Sequence, residues 1–437
     1  MSKLIALRSG PVIPYELIEL IIALIATEDD IETLLALALL DHHFSWVARR
    51  YIFSYIPLEK WKYQQEEGGQ IASEAEQFHR ILDRNPGVAA FVHKFDYVND
   101  LKNSHHAPAV FRRLYNVKSF TFGFNDYEIY GPRQANWNTS ISAALRKSIY
   151  AFFQGNSLRS LQMLNIADVP GILFELLPCL EELDLHSVTF SGWKNVALNS
   201  SLKVPEGKSS SGDPLKLKAL TMRRKMESGF AYIMDAKRRN GRHMMDYSQV
   251  MAAHFHIEHP DMVSTFLEFL NRTEQLTELA FGGYCGEFDI KNRFTSSLNP
   301  NSFQTLRRLE FWHMVDGRQY DPFAGLSYEL AELAYRARGA VVLPLAEVSI
   351  GIQVDTDGAC DTSPDVWSQL DIALSQPKNF PHLRTVNVKV TIYYCRGAHL
   401  ENLVQELHIV EKTSFNGLRE LQRRGLNFSF KVTKKPV

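Results

Sequence analysis

Apolar and polar positions alternate with a helical period at the start of the chain. Leu17, Ile18, Ile21, Ile22 and Ile25 recur at helix spacing behind Pro14, a residue suited to a first turn, and Glu16 and Glu19 favour the positive helix end. After the polar break Thr27-Glu28-Asp29-Asp30 a second helix begins. Leu34, Leu35, Leu37, Ala38 and Leu40 make it apolar almost all round, so it must be covered from several sides. A third stretch, Phe44 to Phe53, is again amphipathic, with Arg49 and Arg50 facing out. Three such short helices bury little surface and are marginal alone; the unit wants a partner.

From residue 90 onward the period changes. An apolar-x-x-apolar-x-apolar pattern returns at Val92-Phe95-Tyr97, Val117-Phe120-Phe122, Leu158-Leu161-Met163, Leu180-Leu183-Leu185 and Leu217-Leu220-Met222. It continues at Leu276-Leu279-Phe281, Leu306-Leu309-Phe311, Leu345-Val348-Ile350 and Leu383-Val386-Val388. Seven of these nine units begin with Leu, well above its share of the apolar residues, which separates the pattern from chance. "LPCLEELDL", "FPHLRTVNV", "FQTLRRLEF" and "TEQLTELAF" each place a short break before the pattern, as where a strand enters a parallel sheet.

Helix-like spans lie between: 138–153, 261–271, 325–338, 364–374 and 398–424. A short strand followed by a helix, repeated, is the unit of an α/β solenoid, and the expected fold is an irregular, leucine-rich-repeat-like horseshoe. The strand-to-strand intervals, 25, 41, 22, 37, 59, 30, 39 and 38 residues, exceed the roughly 20 to 29 of regular leucine-rich repeats, so long insertions are expected. An ordinary α/β domain with parallel strands would show the same local alternation.

Composition narrows the function classes. The 48 basic and 49 acidic side chains nearly cancel, so no overall field recruits nucleic acid or anionic lipid. The longest apolar run in the N-terminal stretch, Leu20 to Ala26, is far short of the ~20 residues that cross a bilayer. Cys179, Cys285, Cys360 and Cys395 are scattered, with no secretory signal, and read as reduced thiols in a cytoplasmic or nuclear protein.

"IPYELIELIIALI" and "TLLALALLDHHFSWVARRYIF" resemble the F-box near the N-terminus of many fungal proteins, in which a Pro-x-Glu-Leu/Ile opening precedes a Leu-rich helix and a Trp-Arg-Arg third helix. "FHRILDRNPGVAAFVHKFDYV" resembles the stretch that leads into the leucine-rich-repeat-like region of those proteins; together these segments cover about a fifth of the chain. The resemblance implies that the helices dock on the small Skp-type adaptor of a cullin ubiquitin ligase, through Pro14, Leu17, Ile18, Ile21, Leu34 and Leu37, while the rest of the chain selects a protein substrate. Where many members read Cys-Arg-Ser-Trp, this chain reads Asp41-His42-His43-Phe44.

The chemistry-bearing motifs are weak. Gly-Lys-Ser in "EGKSSSGDP" at 206–214 lacks the first glycine of a phosphate-cradling loop and reads as a surface insertion. His254, His256 and His259 sit close, but without a nearby Cys or an H-E-x-x-H helix they call for no metal, and no cofactor is expected. No nucleophile elbow or dinucleotide loop appears, so no enzyme is expected. Between 223 and 243 the chain carries a local charge of +5, and Arg223, Arg224, Arg238 and Arg239 are candidate contacts for an acidic or phosphorylated substrate segment. A solvated charge run is the plainer account of the same residues.

The expected organisation is therefore an F-box-like module over 1–60, a connecting helical segment over 61–90, and a repeat region over 91–437 with insertions near 200–214 and 223–260. The expected role is that of a ligase substrate adaptor. A freestanding interaction scaffold, its N-terminal helices serving only as an end cap, is the alternative.

Overall fold

The computed structural model describes residues 14–28, 30–40, 42–59, 74–99, 105–124, 134–191, 213–238, 241–283, 288–315, 317, 321–337, 343–355, 360–376, 378–394 and 401–436. The chain divides into two compact units, Met1–Gly131 with Asn138–Arg159, and Pro132–Trp137 with Ser160–Val437.

The first unit opens with the three expected helices, α1 (Tyr15–Thr27), α2 (Ile31–Leu37) and α3 (His42–Ile52). Asp30 caps α2, accepting from the Thr33 amide at 3.0 Å and the Thr33 hydroxyl at 2.6 Å. Ile18, Ile22, Leu34 and Val47 form the centre of the bundle, with Ile25, Leu37, Phe44 and Ile52 packed against them. There follow β1 (Tyr55–Glu59), α4 (Glu74–Arg84), β2 (Lys94–Asn99), α5 (Ala107–Arg113), β3 (Ser119–Phe124) and α6 (Ala143–Gly155). β1, β2 and β3 pair in parallel. Their core face meets the helices through Phe95, Phe111, Phe120 and Phe152, whose ring centroids lie 4.9 to 6.1 Å apart.

The second unit begins with the two-residue β4 (Ala135–Asn136), β5 (Ser160–Pro170), β6 (Glu182–Ser191), the short β7 (Leu215–Lys216) and β8 (Ala219–Arg223). After α7 (Glu227–Asp235) and the short β9 (Met245–Asp246) come β10 (Ala252–Ile257), α8 (Pro260–Arg272) and β11 (Glu278–Gly283). The small helices α9 (Phe294–Ser297) and α10 (Pro300–Phe303) lead to β12 (Arg308–Val315), α11 (Leu326–Ala337) and β13 (Glu347–Val354). The chain ends with α12 (Pro364–Ser375), β14 (Thr385–Tyr394), α13 (Glu401–Ser414), α14 (Asn416–Arg423) and β15 (Asn427–Pro436). In the sheet, β5, β6, β8, β10, β11, β12, β13, β14 and β15 lie side by side in chain order, every neighbouring pair parallel. The fold is α/β, as expected from the alternating pattern.

Register is locked where β8, β10, β11, β12, β13 and β14 begin. The carbonyl of Thr277 accepts from both Arg307 and Arg308 amides at 2.8 and 3.0 Å, and the Arg307 carbonyl accepts from Ala346 and Glu347 at 2.8 and 3.0 Å. Glu181, Lys218, Met251 and Ala346 repeat the arrangement, each receiving two consecutive amides of the next strand's entry. The same periodicity sends the second and third apolar positions of all nine sequence units into the core; Leu279 with Phe281 and Leu309 with Phe311 are examples, at 1% exposure or less. A slip of one residue would turn that whole set to the other face.

Three parts of the expected organisation need revision: the expected helical module over 1–60 already contains β1, which pairs in parallel with β2, and two later segments differ from expectation. The 223–260 interval is not an insertion: it carries α7 and β10, and β10 divides the 59-residue gap at Ala253, 33 residues after Leu220 and 26 before Leu279. Its small Ala253 and its two histidines hid it from a Leu-based pattern. β15 likewise follows directly on a helical span and was not expected; its Phe428 and Phe430 pack on Phe415 at 5.5 Å. Of the other expected insertion, residues 200–212 lie outside the described residues.

Buried polar groups in the helical layer serve the helix ends. Asp371 on α12 accepts from the Gly417 and Leu418 amides of α14 at 2.9 and 2.8 Å, and Glu329 on α11 accepts from the Arg293 and Thr295 amides beside α9 at 3.1 and 2.7 Å. Asp371→Ala leaves one buried and one half-buried donor unpaired and is expected to lower unfolding stability by about 1 to 3 kcal/mol, read as a reduced urea midpoint at unchanged slope.

Candidate functional site

Two surfaces have the composition of binding sites, and each lies within one unit. The first is on the helical bundle. α1 is apolar on two faces: Ile18, Ile22 and Ile25 turn inward, while Leu17, Leu20, Ile21 and Leu24, at i, i+3, i+4 and i+7, form a second stripe that faces water. Ile31 and Leu35 of α2, then Leu39 and Leu40 just after it, are also exposed, Leu39 at 87%. Isolated exposed leucines are ordinary, but this many on two neighbouring helices are not.

Of the residues expected to dock, Pro14, Leu17 and Ile21 are exposed, Ile18 and Leu34 are interior to the bundle, and Leu37 is half-buried. At the helix junction, Asp41 lies outside the described residues. His43 sits against the Tyr15 ring at 4.2 Å, and Phe44 packs on the bundle core. Trp46 meets Phe91 edge-on at 6.5 Å with the Arg50 guanidinium 4.9 Å from its ring.

The second surface is the face of the second unit's sheet opposite its apolar core. Strand alternation and parallel register arrange it in rows. One row runs Glu182, Ala219, Ala252, Glu278, Arg308, Glu347 and Thr385; the next runs Asp184, Thr221, His254, Ala280, Glu310, Ser349 and Asn387. A third begins at His186 and Arg223, and continues as His256, Gly282, Trp312, Gly351 and Lys389. Acids dominate the entry end of the strands and bases the exit end.

Arg308 bridges the first row, its Nη1 3.3 Å from Glu278 and its Nε 3.2 Å from Glu347. Asp184 accepts from the Gln162 amide at 2.9 Å and lies 3.7 Å from Arg223; burial nevertheless pushes its carboxyl up. The Trp312 indole lies over Gly282, where a Cβ would stand 1.9 Å from the Trp312 carbonyl oxygen and 2.2 Å from its ring; any side chain there would displace the strand backbone as well as the ring. His256 sits 4.3 Å from that indole and stacks on His254 at 5.1 Å. Burial holds the His254 imidazole down to about 4, and burial with His254 and the neighbouring arginines holds His256 down to about 3. Both are neutral at pH 7.

Compared with known proteins, the chain matches no protein-family model and no curated sequence.

The remaining sequence candidates separate. Arg223, Arg224 and Lys225 stand exposed at the end of β8, the last two at φ 45 and 44, a left-handed turn that the Lys225 amide closes on Glu258 at 2.8 Å. Arg238 is buried, 7% exposed, and Arg239 lies outside the described residues, so the four arginines do not make one exposed patch. His259 caps α8 and turns toward Asp261 at 3.3 Å, apart from the stacked pair; among the described residues no group of three His, Cys, Asp or Glu is placed to hold a metal ion. Trp312, Gly282 and Glu310 went unnoticed in the sequence, although the polar positions of "TELAFGG" and "RLEFWHMV" alternate with core residues and announce a second face.

The neutral histidine pair sets an acid limit. The unfolded chain protonates histidine near 6.5, the folded chain only near 4 and 3, so stability is full above pH 6.5 and falls as the pH drops through that window. The double variant His254→Gln/His256→Gln is expected to lose less stability than the wild type between pH 7 and pH 5, measured as the shift of urea midpoints.

Proposed function

We propose that this chain is a non-enzymatic substrate adaptor of a cullin-type ubiquitin ligase, its N-terminal helices docking on a Skp-type adaptor and its strand–helix region binding a protein substrate. The observation that carries this reading is the outward stripe of Leu17, Leu20, Ile21 and Leu24, continued by Ile31 and Leu35. It lies on the segment that resembles an F-box, and its chemistry is that of a partner surface. The strand–helix units, in chain order with parallel register, support the leucine-rich-repeat-like reading of the rest, which gives a substrate a wide, continuous sheet face.

The alternative, a scaffold whose helices only close the end of the array, requires those residues to be covered by the chain itself. Leu17 is 49% exposed and Ile21 48%. Exposure on this scale favours docking.

The same numbers make the test clean. Leu17→Asp/Ile21→Asp replaces exposed side chains and is expected to leave thermal stability within about 0.5 kcal/mol per site. In a pull-down and titration with a purified Skp-type adaptor it should weaken binding by about thirtyfold or more, the loss expected of a hot-spot residue. Ile22→Asp, in the bundle centre, should instead unfold the bundle. A folded wild-type chain that binds no Skp-type adaptor overturns the proposal.

A further inference from the structure

The open sheet face holds a cavity of about 230 Å³ over β8, β10, β11, β12 and β13. It exists because the sequence places Ala219, Ala252 and Ala280 where neighbouring strands carry long side chains, so backbone forms its floor. Small-molecule and cofactor sites usually occupy about 300 to 1,000 Å³. This one has the size of a single long side chain.

Its electrostatics are one-sided. Three carboxylates, Glu278, Glu310 and Glu347, face one guanidinium, Arg308, a formal charge of −2. Arg308 is engaged by Glu278 and Glu347 together, so its positive charge is already offset within the cavity wall. Glu310 is different. Its register neighbours are Ala280 and Ser349, and among the described residues no side chain pairs with it. An unpartnered carboxylate stands in a depression whose walls are built. The remaining titratable wall, His254, is neutral at pH 7 and brings no opposing charge. No set of three metal-ligating groups is present there among the described residues, which leaves an organic cation as the complementary occupant.

We propose that this cavity receives a lysine or arginine side chain of a bound polypeptide, with Glu310 as its principal partner. The inference rests on the reading of this sheet face as the surface that holds a protein substrate, and it names the chemistry of that substrate; it does not depend on adaptor docking by α1–α3. It also reverses the polarity suggested by the arginines near residue 223: the cavity selects a basic feature, not an acidic one.

The test uses the full chain, immobilised and challenged with a displayed library of random short peptides, followed by anisotropy titration of enriched sequences. Enriched peptides are expected to share a Lys or Arg at one fixed position, and its replacement by Gln should weaken binding by about tenfold or more. Glu310→Gln should produce the same loss. Glu332→Gln, which removes a helical carboxylate bonded to Arg336, should not. Glu310 is exposed, so its variant is expected to fold, checked by an unchanged thermal transition.

Peptides that bind without a basic residue, or whose basic residue is indifferent to Glu310→Gln, overturn the proposal while leaving the sheet face as a partner surface. A folded chain that enriches no peptide overturns the proposal and that reading of the face together. Equal competition by spermidine and by the free basic peptide assigns the cavity to small polyamines and overturns the polypeptide assignment.

Discussion

The second unit depends on the paired amides at the strand entries. A parallel pair cannot be closed by a tight hairpin, so each strand must leave the sheet, cross as a helix or loop, and return. Nothing in that long excursion sets register. The shared carbonyls of Glu181, Lys218, Met251, Thr277, Arg307 and Ala346 do so at the moment of return, each fixing two consecutive amides of the next strand. Once the entry is fixed, the period of two decides the rest: one set of side chains goes under the helices and the other to the open face.

The two sets then obey different physics. The inner set is chosen for volume, which is why Leu, Phe, Val and Ile fill it, and the helical layer above pays its own polar costs with buried acceptors such as Asp371 and Glu329 at neighbouring helix ends. Apart from the packed group of His254, His256, Gly282 and Trp312, the outer set meets no helical layer among the described residues, and its charge and size vary widely. Its variation is ordered along the strands, with carboxylates near the entries and His186, Arg223 and Lys389 two residue pairs further on. Roughly 13 Å separate the first and third rows at the usual rise per residue, more than a Debye length at physiological salt, so the two ends act on a ligand almost independently.

This division explains what was legible in the sequence. Strands with large apolar residues at both inner positions announce themselves, and all nine apolar-x-x-apolar-x-apolar units lie at strands. β10 was lost because Ala253 is smaller than the Leu, Val or Phe at the matching inner positions of the other strands, and because His254 and His256 looked like a chemical motif when they are outer-face positions of an ordinary strand. β15 was lost because two helices and a strand run together without a strong break at Gly425. The site was less legible than the fold, for a physical reason: Glu310 matters because of Ala280 and Ser349, which are 30 and 39 residues away in the chain and adjacent only through register. Arg238 shows the converse, a residue that local charge places on the surface and packing buries.

The helical bundle poses the opposite problem, since its unusual feature is visible in the sequence but nothing among the described residues of the bundle accounts for it. α1 needs one apolar stripe to hold α2 and α3, and Ile18, Ile22 and Ile25 supply it. The second stripe adds nothing to that packing. Completing the burial of a half-exposed Leu or Ile is worth about 1 kcal/mol, so the six residues Leu17, Leu20, Ile21, Leu24, Ile31 and Leu35 hold about 6 kcal/mol that a partner could recover and this chain leaves unrealised. That is of the order of the cost of bringing two proteins together, which makes the stripe sufficient for binding only when well-packed anchors and matched polar contacts add to it. Docking by these helices is therefore a question of fit to one partner surface, and hydrophobicity alone would not secure it.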